Sequence, residues 1–249
     1  MSKLSGKPRT SLNNSSFEKL SDSFSVNNAD FCIQLYANET LADNMPFLVL
    51  DLEMTGPEPD YNEIIQIGAV LFDDNWIERG QYLTNVYPEN KDAFSSSSEK
   101  IHNLSLAELE DAPMIYDVLP EMEEWICTQL GLRVPKGQLD RTPYLRDLIV
   151  CGQSVINDIN FLKEAYRYEK QKWPYSRVLL DLHTLAYFTF RVLKANGRKV
   201  PDRLSLTAIA SYFGFAREDG FHNALEDAVL TAKCLKEVFK LSEQLKIQP

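Results

Sequence analysis

Paired cysteines are missing from this sequence. Its four, Cys32, Cys127, Cys151 and Cys234, are scattered with no C-x-x-C pair, which argues against a zinc ribbon, a redox dithiol or a disulfide scaffold and suits the reduced thiols of a cytoplasm. Long apolar runs are missing too. None reaches the roughly 18 residues of a membrane span, and the opening MSKLSGKPRT has no apolar run behind its positive charges. The chain is therefore expected to stay in the cytoplasm where it is made, with no membrane partner. Positive charge is in short supply: 26 Lys plus Arg stand against 36 Asp plus Glu, a net charge of −10. Such a chain has little long-range attraction for a polyanion, so any partner of that kind has to be held by local basic patches or by metal ions.

What is present is ordinary globular composition. The 249 residues are 44% hydrophobic and 25% charged, enough for a sizeable core in one large domain or two small ones. Residues 1 to about 28 are rich in Ser and Asn and poor in large apolar side chains, which predicts a flexible extension. Between Ala29 and Met45 a weak apolar pattern (Phe31, Ile33, Leu35, Leu41) allows a short surface helix. The division expected is an extension over 1–45 and a folded domain over 46–249.

Within that domain Phe47-Leu48-Val49-Leu50 is a short apolar run, as in a strand buried on both faces. Ile64 to Phe72, the turn signal Asp73-Asp74-Asn75, and Trp76 to Val86 read as an antiparallel hairpin. Leu148 to Cys151 and Arg177 to Leu182 add strands. Helices are predicted over 105–110, 114–130, 155–167, 185–193, 206–213 and 224–241, with a Pro- and Gly-containing loop over 131–146. Three strands followed by alternating helices and strands make one α/β domain, its mixed sheet flanked by helices. A basic run, Arg191, Lys194, Arg198, Lys199 and Arg203 with Asp202 its only acid, either is a solvated loop or guides a phosphate backbone.

The acids carry the chemistry. Asp51 and Glu53 end the first apolar strand, and residues two apart on a strand face the same way. Like charges this close repel unless a cation sits between them. Ser154 is a natural N-cap for a helix from Val155, which puts Asp158 in its first turns. Asn223 is a second candidate N-cap, with Glu226 three residues on and Asp227 in the first turn, while His222 stands just ahead of the helix. Singly, each acid is explained by solvent or by the dipole at a helix N-terminus. Together, four acids and a histidine fall at strand ends and helix starts, where open α/β sheets build their sites.

At these residues the sequence resembles the DEDD-type 3′→5′ exonucleases with a catalytic histidine (DEDDh), a group that includes polymerase proofreading subunits, ribonuclease T and oligoribonuclease. The resemblance covers roughly residues 46–241. Asp51-Leu52-Glu53-Met54-Thr55-Gly56 with Glu63 to Gly68 matches the first motif, Gly152-Gln153-Ser154 through Asp158 to Leu162 the second, and His222-Asn223-Ala224-Leu225-Glu226-Asp227-Ala228 the third. The first two look most like oligoribonuclease. Ile101-His102-Asn103-Leu104-Ser105 and the Ala-Leu-x-Asp-Ala ending look more like the proofreading enzymes. Many members carry His-Asn where this chain has Gln153-Ser154.

The resemblance implies a ribonuclease H-like fold, with helices on both faces of a mixed five-stranded sheet. It implies release of nucleoside monophosphates from single-stranded or short nucleic acid, RNA or DNA, and a homodimer like that of oligoribonuclease. It also implies two divalent cations, Mg²⁺ or Mn²⁺, which hard carboxylate oxygens suit. By the same resemblance Asp51, Glu53 and Asp227 hold one cation, Asp51 and Asp158 the other, and His222 is the general base. Leu52, Met54, Thr55 and His102 are expected to hold the 3′-terminal nucleotide. The competing readings are a catalytically silent binding module, against which the presence of all five catalytic residue types argues, and a different nuclease or phosphatase on the same fold.

Overall fold

A computed structural model describes residues 45–217 and 223–245. Apart from Met45 the expected N-terminal extension lies outside the described residues, as does His222. The central strand β1 (Phe47–Met54) pairs antiparallel with β2 (Ile64–Phe72), and β2 with β3 (Glu78–Asn85). On its other side β1 runs parallel to β4 (Ile149–Gly152), and β4 to β5 (Leu179–Asp181). The order is β3-β2-β1-β4-β5, a mixed five-stranded sheet.

Alternation along β1 sorts the core into two layers. Leu48, Leu50 and Leu52 point to one face, where they meet α2 (Ile115–Gln129) and α4 (Ile156–Tyr168) through Leu119, Met122, Ile126, Ile159 and Leu162. Phe47 and Val49 point to the other, against α5 (Leu182–Ala195), α6 (Leu206–Tyr212) and α7 (Ala224–Glu243) through Ala186, Ile209, Ala228 and Leu235. Each large side chain buried here contributes roughly 1.5–3 kcal/mol. All nine residues of β2 are buried, which explains an apolar run that only Gln66 interrupts with a polar side chain. The α/β class, the mixed sheet and the helices on both faces are as the sequence implies.

Local corrections follow from local causes. Residues 105–110 do not form a helix. Leu109 N–H donates to Leu106 O and Ala112 N–H to Leu109 O, three residues back each time, and the Glu108 carboxylate accepts from both the N–H and the hydroxyl of Ser105, closing a series of turns. A helix forms earlier instead, α1 (Ser96–His102), capped by the Ser95 hydroxyl and ended by Asn103 at φ 56°. Its Ser-rich start has no apolar period to betray it. A short α3 (Thr142–Leu145) interrupts the expected loop. Ser154 is not an N-cap: it stands at φ 56°, its N–H donates to Asp181 Oδ1 at 2.7 Å, and the helix starts at Ile156. Among the described residues no helix is long and apolar enough to cross a membrane.

Candidate active site

The site lies where β1 leaves the sheet centre. Asp51 stands opposite Gly68 and Glu53 opposite Gln66 in the ladder with β2, so both point to the side covered by α7. The start of α7 is held against β2 at Gly68 and Gln66 and closed by its own cap, Asn223. A Cβ on Gly68 would lie 2.1 Å from the Ala224 carbonyl carbon and from the Leu225 nitrogen, so only glycine admits the helix here. Gln66 Oε1 accepts from Ala224 N–H at 3.0 Å while its Nε2 donates to Asn85 Oδ1 at 2.8 Å. Asn223 is the N-cap, its Oδ1 accepting from Leu225 N–H and Glu226 N–H at 3.1 and 3.3 Å. Asp227 thus sits in the first turn, buried against β1 and β2.

Asp158 arrives from the other layer. It lies in the first turn of α4, buried, and its Oδ1 accepts from the backbone N–H of Leu52 at 3.1 Å. That bond ties the second motif to the strand carrying Asp51 and Glu53. The four carboxylates come from three elements and lie within electrostatic reach of one another. Burial, then the charges of Asp158, Asp227 and Glu53, hold the Asp51 carboxyl well above the usual carboxylate range. Burial, then Asp227 and Asp158, push Glu53 up to about 7. Asp158 is pushed up to about 7 as well, chiefly by burial, against the opposing pull of its backbone hydrogen bonds. A cluster this crowded with negative charge holds protons unless cations neutralise it.

Among the described residues, the chain brings a cation of its own to the site. Arg217 clamps Asp227 with both ends of its guanidinium, Nε to Oδ1 at 2.6 Å and Nη2 to Oδ2 at 2.9 Å, while Nη1 donates to Thr207 Oγ1 on α6 at 2.8 Å. The positive charge opposes the rise at Asp51 and Glu53 too. As the side chains stand, no three His, Cys, Asp or Glu among the described residues surround a single metal position. The donor chemistry nonetheless suits a hard divalent cation: three buried carboxylates and the half-buried Asp51, crowded enough to repel, with no soft ligand among the four.

The residues expected to hold a nucleotide are placed differently from one another. Leu52 is buried in the core layer of α2 and α4, and Met54 is half-buried against it. Thr55 is fully buried, its N–H donating to Glu63 O, its hydroxyl accepting from Glu63 N–H and its carbonyl from Ser95 N–H. His102 ends α1, buried and edge-on to Phe94. Its Nδ1 accepts from Leu104 N–H at 3.0 Å, so the ring hydrogen belongs on Nε2, which is buried with no hydrogen-bond partner among the described residues. Burial keeps this imidazole below its ordinary pKa.

Sequence reasoning missed Gln66 and Arg217. Gln66 had a signal, a lone polar residue inside a nine-residue buried strand; Arg217 had none, because its partner is set by tertiary approach. A separate cleft of about 410 Å³ opens between the β1–β2 loop and α4, lined by Tyr61, Glu63, Tyr87, Phe161, Glu164 and Tyr168 among others and by none of the four acids.

Comparison with known proteins places the chain and its fold. An exonuclease family model, RNase_T, matches residues 48–134. The chain is 32% identical over 203 residues to the DNA polymerase III subunit epsilon of Aquifex aeolicus, covering 80% of this chain and 81% of that protein. It is 26% identical over 201 residues to the 3′-5′ exonuclease DinG of Staphylococcus epidermidis, of which it spans only 18%. In three dimensions it resembles the nuclease domain of 3′hExo, a DEDDh family member bound to rAMP, with a TM-score of 0.62 at 17% identity over 83% of this chain and 98% of that one.

Proposed function

The chain belongs to the DEDDh family of 3′→5′ exonucleases and is an enzyme of that class; from this premise we propose that it releases nucleoside monophosphates from the 3′ ends of single-stranded or short nucleic acids by two-metal-ion hydrolysis. The observation that carries the reading is the meeting of Asp51, Glu53, Asp158 and Asp227 from β1, α4 and α7 in one crowded patch of carboxyl groups. Two bound Mg²⁺ or Mn²⁺ ions would supply charge neutralisation for the attacking and leaving oxygens. Asp51, Glu53 and Asp227 would hold the first and Asp51 with Asp158 the second. His222, in the family's third motif, takes a proton from water in this reading.

The chain's own groups set the polarity. Thr55 has its backbone bonds committed and Leu52 its side chain in the core, so within the first motif Met54 has most surface to offer a terminal base. The buried Nε2–H of His102, without a hydrogen-bond partner among the described residues, supports a role as donor to the same nucleotide. The resemblance extends the proposal to a homodimer. The free, buried Cys127, Cys151 and Cys234 support a reducing cytoplasmic setting, and the domain is proposed to run over 46–249 after an extension over 1–45.

Matched 5′-labelled RNA and DNA oligomers of two to about twenty nucleotides test the activity, with Mg²⁺ or Mn²⁺. The result expected is a one-nucleotide ladder from the 3′ end, abolished in Asp227→Ala. Oligomers left intact under both metals would overturn it, and the preferred sugar and length separate oligoribonuclease-like from proofreading-like use.

A further inference from the structure

Arg217 stands where the chemistry calls for a divalent cation. Its guanidinium occupies both oxygens of Asp227, and the ion pair is nearly dry, with side chains 15% and 5% exposed. The third contact, to Thr207, fixes the fork from α6, a different element from the one bearing the acid. A planar bidentate clamp of this kind is among the strongest pairings a carboxylate makes. A divalent cation bound to the same carboxylate would lie close to a like charge, and in a buried site such repulsion is weakly screened.

We propose that Arg217 is a resident counter-ion of the carboxylate cluster, holding Asp227 before metal binds and competing with divalent metal for it. The inference rests on the metal-dependent reading above and deepens it. Two observations converge on it: the clamp takes both oxygens of Asp227, the residue that α7 is built to deliver, and the same charge reaches Asp51 and Glu53. Metal loading then includes a switch, in which the guanidinium gives up Asp227 as the divalent cation takes it. The arginine keeps the four acids from repelling one another apart before metal arrives, at the expense of metal affinity.

The test is a Mn²⁺ titration of the full chain, with free Mn²⁺ read by electron paramagnetic resonance, on wild type, Arg217→Gln and Thr207→Val. Arg217→Gln is expected to tighten Mn²⁺ binding by about tenfold, the scale of one strong charge-assisted pair. Its melting temperature should fall in EDTA and gain more from saturating Mn²⁺ than the wild type does. Thr207→Val, which removes only the tether, should tighten binding in the same direction by less, and it decides the matter if Arg217→Gln fails to fold. Equal or weaker Mn²⁺ affinity in the folded variants overturns the role of Arg217 while leaving the metal-dependent reading intact. Mn²⁺ binding to none of the three proteins overturns both.

Discussion

Gly68 and Ala224 touch so closely that a single added carbon would not fit between them: a Cβ on Gly68 would come within 2.1 Å of the Ala224 carbonyl carbon and 2.4 Å of its oxygen. This contact sets how deep α7 sits, and hence where Asp227 stands beside Asp51. Gly68→Ala is expected to push α7 off the sheet. Overpacking of this kind costs roughly 1–3 kcal/mol, a fall of several degrees in melting temperature for a domain of this size. Mn²⁺ binding should weaken at the same time because Asp227 moves. A variant that melts and binds Mn²⁺ like wild type would show that the helix is placed by other contacts.

The acids of the site work against the fold that holds them. Asp51 is raised in pKa by burial and by three neighbouring carboxylates, so its charge is a cost in the metal-free protein. Asp51→Asn removes the charge at nearly constant shape. In EDTA it is expected to melt higher than wild type, while turnover in Mn²⁺ is abolished. Paired melting curves and oligonucleotide assays check this trade of stability for function; a lower melting temperature in EDTA would mean that Asp51 makes a favourable contact when ionised.

Much of this was legible because its causes are local. The period of two on β1 put Asp51 and Glu53 on one face, and Asn223 is an N-cap by the chemistry of its own side chain. Ser154 misled because its left-handed backbone answers to the close packing of the β4–α4 turn, where a Cβ on Gly152 would meet Leu50 O at 2.9 Å. Helix α1 escaped notice because Ser96, Ser97 and Ser98 show no apolar period. Arg217 was illegible for a deeper reason. Its partners Asp227 and Thr207 are each ten residues away along the chain, and only the packing of α6 beside α7 brings them together. His222, the clearest functional residue of the third motif, lies outside the described residues.

The raised carboxyls make a pH dependence with a definite sign. In the folded, metal-free protein Glu53 goes from 4.5 to about 7 and Asp158 from 3.8 to about 7, with burial the largest cause in each. The folded state therefore keeps protons that the unfolded chain has released. Stability from this source is fully present below about pH 4 and is lost as pH rises through about 7. Melting temperature in EDTA should fall between pH 5 and 8, and saturating Mn²⁺ should reverse the fall, since metal binds the deprotonated carboxylates. A curve in EDTA that is flat or rising over that range would contradict the crowding of charge inferred for the site.

The basic run that starts on the last turns of α5 and continues past its end gives the last expectation, on substrate length. Arg191, Lys194, Arg198, Lys199 and Arg203 are all exposed, and the run returns to the second motif, where Leu204 O accepts from Gln153 Nε2 at 2.9 Å. Two exposed aromatics, Tyr187 and Phe188, stand on α5 beside it, Arg191 lying 5.8 Å over the Tyr187 ring. Basic groups interleaved with open aromatic faces suit a single strand leaving the site. If the run guides the strand beyond its terminal nucleotides, a dinucleotide gains nothing from it. The triple variant Arg191→Glu, Lys194→Glu, Arg198→Glu is therefore expected to raise KM for a 20-mer while leaving dinucleotide turnover unchanged. Each lost phosphate contact should also lower the slope of log affinity against log salt by about 0.7 for single strands. Measuring KM for both substrates at several salt concentrations separates the outcomes. Equal effects on dinucleotide and 20-mer would mean that the charge reversal disturbs the site itself, and no effect on either would leave the run as a solvated loop.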